Sequence, residues 1–529
     1  MTRDDLPSDT GVLAALLAAE RARHAAEIAK VIGERDELRD ETERLRAMIH
    51  ALQRHRFGAR SEQLDPAQLA LGLEDIEQSL AAAEAAAEHQ AAPRTSQQPR
   101  KPRKSNRGAL PRHLPRIEQV IDIGPHTCPC CASTLHRIGE DVSERLDVVP
   151  AQLRVLVTRR PKYACRKCAG TVVQAPAPAR VVEGGLPTEA LIALVVVGKY
   201  ADHLPLYRQA QIYLRQGVDL DRATLCDWVG RAAWWLAPVH ASLLDHLRSS
   251  TKLFADETPA PVLDPGRGRT KTGQLWAYAR DNRPWGGDGA PAVAYVYAPD
   301  RTAAQTIKHL AGFKGVLQVD GYAGYEVLAN RGDVTLAFCW SHVRRRFYEL
   351  AANGPAPLAA EALAMIAAMY MIEGEIRGRS AEQRRAARQA RTKPLVDEIK
   401  IWFDAKLAAV SQKSTMAEAI RYALVRWSGL TRFLDDGRIE IDSNVVERSI
   451  RPLALTRKNA LFAGSDGGGT HWATVASLIE TCKLNDINPQ AYFTDVLERL
   501  VAGHRQQNIG ELLPWEWAKR AAEKIPRAA

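Results

Sequence analysis

A multidomain α/β protein is predicted from three observations. The chain has 529 residues, 46 % of them apolar, enough for several separate cores. Between about 250 and 353, short apolar runs of strand length alternate with helix-period stretches. Three acidic residues, Asp256, Asp320 and Glu447, stand at the edges of such elements. Because 62 residues are Asp or Glu, only their context gives these three any meaning.

The N-terminal segment, 10–90, is rich in Ala, Glu, Arg and Leu, with no proline between Gly11 and Asp65. Leu17, Val31, Leu38, Leu45 and Leu52 lie on a seven-residue ladder broken at His24. Such a seam suits a coiled coil joining protomers, making a homo-oligomer of at least two copies; the alternative is an amphipathic helix packed in cis. Residues 91–117 form a basic linker. Arg100, Lys101, Arg103 and Lys104 lie among Pro, Ser and Gln, and no acid occurs from His89 to Ile117. That composition builds no core. It reads as a solvated tether or as a disordered arm on DNA backbone.

Eight cysteines are too few and too clustered for a disulfide scaffold. Cys128-x-x-Cys131 and Cys165-x-x-Cys168 are two knuckles in a module spanning 118–180. Four thiolates fit one tetrahedral structural zinc. The alternating stretch LRVLVTRRPKYAC is expected to return as a strand between the knuckles, and Cys130 is an extra thiol inside the first. The following region, 185–248, reads as helix-turn-helix-like, with a turn at Gln216-Gly217-Val218 and a second helix from about Arg222. Gln209, Arg222, Thr224 and Arg231 are candidates to face DNA while Leu225, Trp228 and Val229 pack. A plain helical hairpin accounts for the same pattern.

Leu253–Ala255 and Val316–Val319 are apolar runs ending in Asp256 and Asp320, so each carboxylate is expected where a strand leaves the sheet. A carboxylate buried there unpaired would be costly. Strands at 274–281 and 292–299, a helix at 302–313, a short helix near 324–330, a strand at 334–340 and the helix HVRRRFYEL complete the series. This is the element order of a ribonuclease-H-like fold, whose first and fourth strands are neighbours, and it would join Asp256 to Asp320 across 64 residues. A helical insertion, 354–436, follows, with Trp402, Phe403 and Trp427 as its core. Glu447 sits on a helix whose polar stripe is Asn444, Glu447, Arg448 and Arg451 and whose apolar face is Val446, Ile450 and Leu453. Pro452 marks the expected end of that helix, and GSDGGG (464–469) reads as a flexible loop lacking a nucleotide P-loop ending. The segments 437–475 and 476–529 are thus a catalytic helix with its loop, and a C-terminal helical region.

Three convergent carboxylates suit two magnesium (or manganese) ions about 3.5–4 Å apart, the arrangement for in-line displacement at phosphorus. Cys339-x-x-His342 lacks partners for zinc, and a buried, hydrogen-bonded histidine is one reading of His342. The net charge of +10 and pI near 9.2 favour a polyanionic partner. The longest uninterrupted apolar run, LIALVVVG, is far short of a membrane span of roughly 20 residues. A cytoplasmic, DNA-associated protein without a membrane partner is expected.

IDSNVVERSIRPLALTRKNALFAGSDGGG, CWSHVRRRF, KYADHLPLYRQ, PKYACRKC and HRFGARSEQLD together resemble the large transposase of the insertion-sequence 66 family, in collinear order from roughly residue 15 to 515. The resemblance implies a DDE transposase acting on double-stranded DNA, at element terminal repeats and target, through Asp256, Asp320 and Glu447. It also implies small companion proteins encoded with the element, and the likeness of Cys339-x-x-His342 to a motif of several DDE families implies that His342 lies near the DNA strand at the site. Position 454 is Ala454, so the basic residue that follows the glutamate in such enzymes has Arg448 and Arg451 as its candidates here. Outside that class, a DNA-binding regulator on an inactive nuclease fold, or a structure-specific nuclease, would share these features.

Overall fold

The structure, a computed structural model, describes residues 20–25, 153–164, 172–174, 176–183, 185–264, 269–352 and 356–523. The chain divides into two units, Met1–Pro150 and Ala151–Ala529. In the first, residues 20–25 are helical. The ladder residues (Leu17, Val31, Leu38, Leu45, Leu52), the basic arm (Arg100, Lys101, Arg103, Lys104) and the knuckles (Cys128, Cys131, Cys165, Cys168) lie outside the described residues.

The second unit opens with a small antiparallel pair, β1 (Lys162–Ala164) and β2 (Val172–Gln174). The expected longer strand is absent from 153–161, where Val155, Leu156 and Val157 are exposed. Pro161 has no N–H to give a ladder. Helices α1 (Glu189–Tyr200), α2 (Leu206–Arg215) and α3 (Arg222–Arg248) follow. Gly217 turns between α2 and α3 at φ +82°, a left-handed conformation that glycine adopts without a Cβ penalty. Asp221 caps α3 by accepting from the Ala223 amide at 2.9 Å. Leu225, Trp228 and Val229 are buried as expected. Gln209 is buried as well, donating to the carbonyls of Val195 (3.2 Å) and Leu204 (3.1 Å), so it does not face outward.

The central element is a five-stranded sheet in the order β5–β4–β3–β6–β7. Its strands are β3 (Lys252–Asp264), β4 (Arg269–Arg280), β5 (Ala292–Ala298), β6 (Gly315–Val319) and β7 (Val334–Phe338). The first three form an antiparallel meander; β6 joins β3 in parallel and β7 joins β6 in parallel. Helix α4 (Ala303–His309) and the short α5 (Glu326–Ala329) make the crossovers. The first and fourth strands are therefore neighbours, as the element order requires. Strand β3 runs eight residues past Asp256, against expectation. Pro259 and Pro261 lie in this extension. Pairing with β6 stops at Phe254, so no strand ladder on that side needs their missing N–H groups; the Pro261 carbonyl there accepts from the Ala463 amide at 2.9 Å.

Helix α6 (Trp340–Ala352) leads into the insertion: α7 (Pro357–Ile376), α8 (Ala381–Ala387), a π-helical turn (Arg388–Thr392), α9 (Lys393–Ala409), α10 (Thr415–Val425) and α11 (Trp427–Thr431). It has its own core, in which Phe347 and Phe403 stack at 5.6 Å and Trp402 and Trp427 pack against the buried side chains. Among the described helices, α7 is long and apolar enough to cross a membrane. Here it contributes Ala359, Ala362, Ile366 and Met369 to that core. It also carries Glu373, whose carboxylate pairs with Arg388 at 2.7 Å on both oxygens and with Arg384 at 3.4 Å. Arg384 and Arg388 are thus internal counterions.

Helix α12 (Asn444–Ala460) carries Glu447 and continues through Pro452. An internal proline costs roughly 3 kcal/mol. Leu453 and Thr456, both buried beyond it, give the packing that offsets this cost. Helix α13 (Asp466–Leu484) begins within the glycine-rich stretch expected as a loop, so the boundary at 475 falls inside a helix. Ser465 caps it by accepting from the Gly468 amide at 3.0 Å. Helix α13 covers edge strand β5: Ser477 and Thr481 hydroxyls accept from the amides of Tyr295 (2.7 Å) and Val293 (3.1 Å). Helices α14 (Pro489–Val501) and α15 (Pro514–Glu523) close the chain's described part.

Candidate active site

Strand register brings the first two acids level. Lys252 pairs with Val316 and Phe254 with Gln318, an offset of 64 in each case, and the same offset separates Asp256 from Asp320. The two carboxylates thus stand side by side just past the point where the parallel ladder ends. Asp320 folds back on its own chain, with Oδ1 accepting from the Tyr322 amide at 2.9 Å, while its carbonyl accepts from the Tyr422 hydroxyl at 2.9 Å. Gly321 follows at φ +105°, and a Cβ there would also run into the Arg426 side chain.

Glu447 comes from the first turn of α12, with the Ser443 hydroxyl donating to it at 3.4 Å. The Asp256 carboxyl is pushed up to about 7, first by burial, then by the negative charges of Asp320, Glu257 and Glu447, against an opposing amide hydrogen bond. All three acids therefore share one electrostatic environment.

Two further acids went unnoticed in the sequence. Glu257, buried next to Asp256, is occupied: Arg301 Nε donates to it at 2.8 Å and the Tyr325 hydroxyl at 3.2 Å. Asp442 is held by Asn444, whose side-chain amide donates at 2.8 Å, and burial pushes its carboxyl up to about 6. Asn444 is thereby committed to Asp442. Gln318 was also missed; a polar residue in the run GVLQV was the available signal. It is fully buried and donates to the carbonyls of Glu440 (2.7 Å) and Asp442 (2.9 Å).

His342 lies beside the acids, with Nδ1 3.9 Å from Glu447 Oε1 and no hydrogen-bond partner. Cys339, His342 and Glu447 offer ligand atoms within 4.8 Å of one another, so the Cys-x-x-His pair has the third group that the sequence did not show. The Cys339 thiol is pushed up to about 12 by burial and accepts from the Ser443 amide at 3.2 Å, which leaves it a poor thiolate ligand. Arg448 and Arg451 are exposed on α12. On α3, Arg222 is exposed, Thr224 half-buried, and Arg231 is paired with Asp227 at 2.8 Å.

Carboxylates carried by two neighbouring strands and a third from a helix make an acidic centre on a mixed α/β scaffold. Residues 184–471 match the family described as Transposase IS66 family, and 477–515 match the IS66 C-terminal element. Residues 125–169 match the zinc-finger binding domain of transposase IS66, and 44–118 match Transposase C of IS166 homeodomain. The zinc-finger match spans all four knuckle cysteines and points to zinc. The chain is 48 % identical to Uncharacterized protein y4jD of Sinorhizobium fredii (strain NBRC 101917 / NGR234), over 92 % of this chain and 96 % of the relative. Uncharacterized protein y4qI of the same organism is 43 % identical over 97 % of this chain and 98 % of its own length. The chain belongs to the IS66 transposase family.

Proposed function

We propose that this protein is a DDE transposase with a ribonuclease-H-like core, cutting and joining DNA strands at Asp256, Asp320 and Glu447. The observation that carries this reading is the shared 64-residue offset that sets Asp256 beside Asp320, with Glu447 close enough to raise the Asp256 carboxyl. Like charges gathered at a largely buried place disfavour one another's ionised form, and hard divalent cations prefer such oxygens. Asp256, Asp320 and Glu447 would hold two magnesium or manganese ions, which supply Lewis-acid polarisation of the phosphate and activation of the attacking oxygen. The protein's own groups do the positioning. Asp320 is fixed by the Tyr322 amide, Glu447 by Ser443, and the neighbouring Glu257 by Arg301.

Double-stranded element ends and target DNA are the substrates in this reading. Cys128, Cys131, Cys165 and Cys168 hold one structural zinc. Arg100, Lys101, Arg103, Lys104, Arg222, Thr224 and Arg231 contribute to DNA contact. Arg448, Arg451 and His342 lie toward the strand being cut. The N-terminal ladder joins at least two copies, and companion proteins encoded with the element assist.

The test uses Asp256→Asn, Asp320→Asn and Glu447→Gln on element-end DNA. Each should lose cleavage and strand transfer by orders of magnitude while keeping most DNA binding, because the three act as one unit. A wild type that binds without cutting would make the protein a regulator, and one that cuts without joining would make it a nuclease. Transposition near wild type in any of the three variants would remove that residue from the site.

A further inference from the structure

A second feature lies at the far end of the helix that carries Glu447. A cavity of about 260 Å³ is enclosed by α1, α3, the last turn of α12 and the start of α13. Its lining includes Lys199, Arg457 and His471 and, among the described residues, no aspartate or glutamate. Burial draws the Lys199 ammonium below the ordinary lysine value, and Lys199 in turn helps hold the His471 imidazole below its own, after burial. Arg457 is fixed in place, with Nη1 donating to Thr258 Oγ1 at 3.2 Å. An electropositive hollow without an internal counterion favours an anion.

The glycines on its wall add an independent observation. Gly464, Gly467 and Gly468 line the cavity and are absent from the positive-φ residues. A Cβ at Gly464 would meet nothing within 4 Å, and at Gly467 or Gly468 nothing nearer than 3.6 Å. Neither backbone conformation nor packing within the chain calls for glycine at these three positions. Gly469 differs, since a Cβ there would strike Tyr297. Missing side chains that the fold itself does not need leave the main chain bare for close approach by a ligand.

We infer that this cavity receives a backbone phosphate of DNA, gripped by Lys199 and Arg457 against the bare glycine main chain. From Glu447 to Arg457 is ten residues of helix, about 15 Å along its axis. That is about four base-pair rises of duplex. The cavity thus lies within reach of the same DNA whose cutting is proposed above, and the inference rests on that reading. The site holds register and supplies no base readout.

Full-length protein is titrated with a short DNA duplex across a salt series, and its Tm is followed in parallel. Lys199→Gln should weaken binding and lower the salt slope by about 0.9, the share of a single neutralised phosphate. Lys199→Arg should restore the slope. Gly467→Ala should also weaken binding, yet leave Tm unchanged or higher, since alanine fits this backbone and stiffens the unfolded chain. That opposition of affinity and stability distinguishes a ligand cradle from a structural glycine. A wild-type salt slope in Lys199→Gln, or a lowered Tm in Gly467→Ala, overturns the inference while leaving the transposase reading intact. So does a Lys199-dependent rise in Tm with ATP when DNA binding ignores Lys199, which would make the cavity a nucleotide site. A wild type that binds no duplex overturns both readings.

Discussion

The side-chain amide of Gln318 donates to the Glu440 carbonyl at 2.7 Å and accepts from the Glu440 amide at 3.3 Å. Gln318 precedes Asp320 by two residues on β6, and Glu440 precedes Glu447 by seven. This one buried contact ties the segment bearing one acid to the segment bearing the other. Arg384, itself buried, holds the Glu440 carboxylate at 2.7 Å and so extends the tie into the insertion.

Gln318→Leu should therefore act on geometry as well as stability. It strands buried backbone groups, each costing about 1–3 kcal/mol. Urea unfolding should show a loss of about 2 kcal/mol or more on the same basis. The magnesium needed for half-maximal cleavage should rise several-fold. A folded variant with wild-type metal dependence would reduce Gln318 to a packing residue.

The acidic cluster should cost stability when no cation is bound. The Asp256 carboxyl is raised to about 7 in the folded chain against an ordinary value of 3.8. A raised carboxyl means the folded state holds its proton longer, so stability falls as pH rises from about 4 to about 7 and the penalty is complete above that. The shift corresponds to about 4 kcal/mol at most, less with solvent access. Asp256→Asn in EDTA at pH 8 should be more stable than wild type by about 1–3 kcal/mol on that scale, and the two should converge near pH 4. Destabilisation at pH 8 would mean that the acids do not share a site.

Arg388 and Glu373 form a bidentate pair inside the insertion, with Arg388 fully buried. Arg388→Met alone should cost about 3–5 kcal/mol by leaving a buried carboxylate short of its partner. Adding Glu373→Met should recover much of that loss. A double-mutant cycle in urea measures the coupling, and a value near zero would contradict the pairing.

Zinc content tests the knuckles. Cys128→Ser, Cys131→Ser, Cys165→Ser and Cys168→Ser should each abolish stoichiometric metal, since folding of such modules draws on about 10–16 kcal/mol of binding. Cys130→Ser should retain it. Equal sensitivity at Cys130 would shift the ligand register.

Much of the sheet was legible because strand-length apolar runs ending in acids leave a local trace. The offset between Asp256 and Asp320 needed only the element order. Pro452 misled, since a proline's local signal for a helix end is overridden by packing farther along the helix, at Leu453 and Thr456. Gln209 looked outward by helical spacing, but the carbonyls that bury it belong to another helix and the turn after it. Gln318–Glu440 and Arg388–Glu373 leave no periodic pattern, because each partner is polar for a reason located far along the chain. The glycine-rich stretch carried a helix cap in Ser465, outweighed in reading by four glycines.

The hydroxyls of Ser477 and Thr481 occupy the outward amides of β5. Where several copies crowd onto one length of DNA, a bare margin there would invite neighbouring copies to zip together strand by strand. With two hydroxyls one helical turn apart seated on it, that margin offers no free donor at Val293 or Tyr295, which blunts strand-by-strand pairing there.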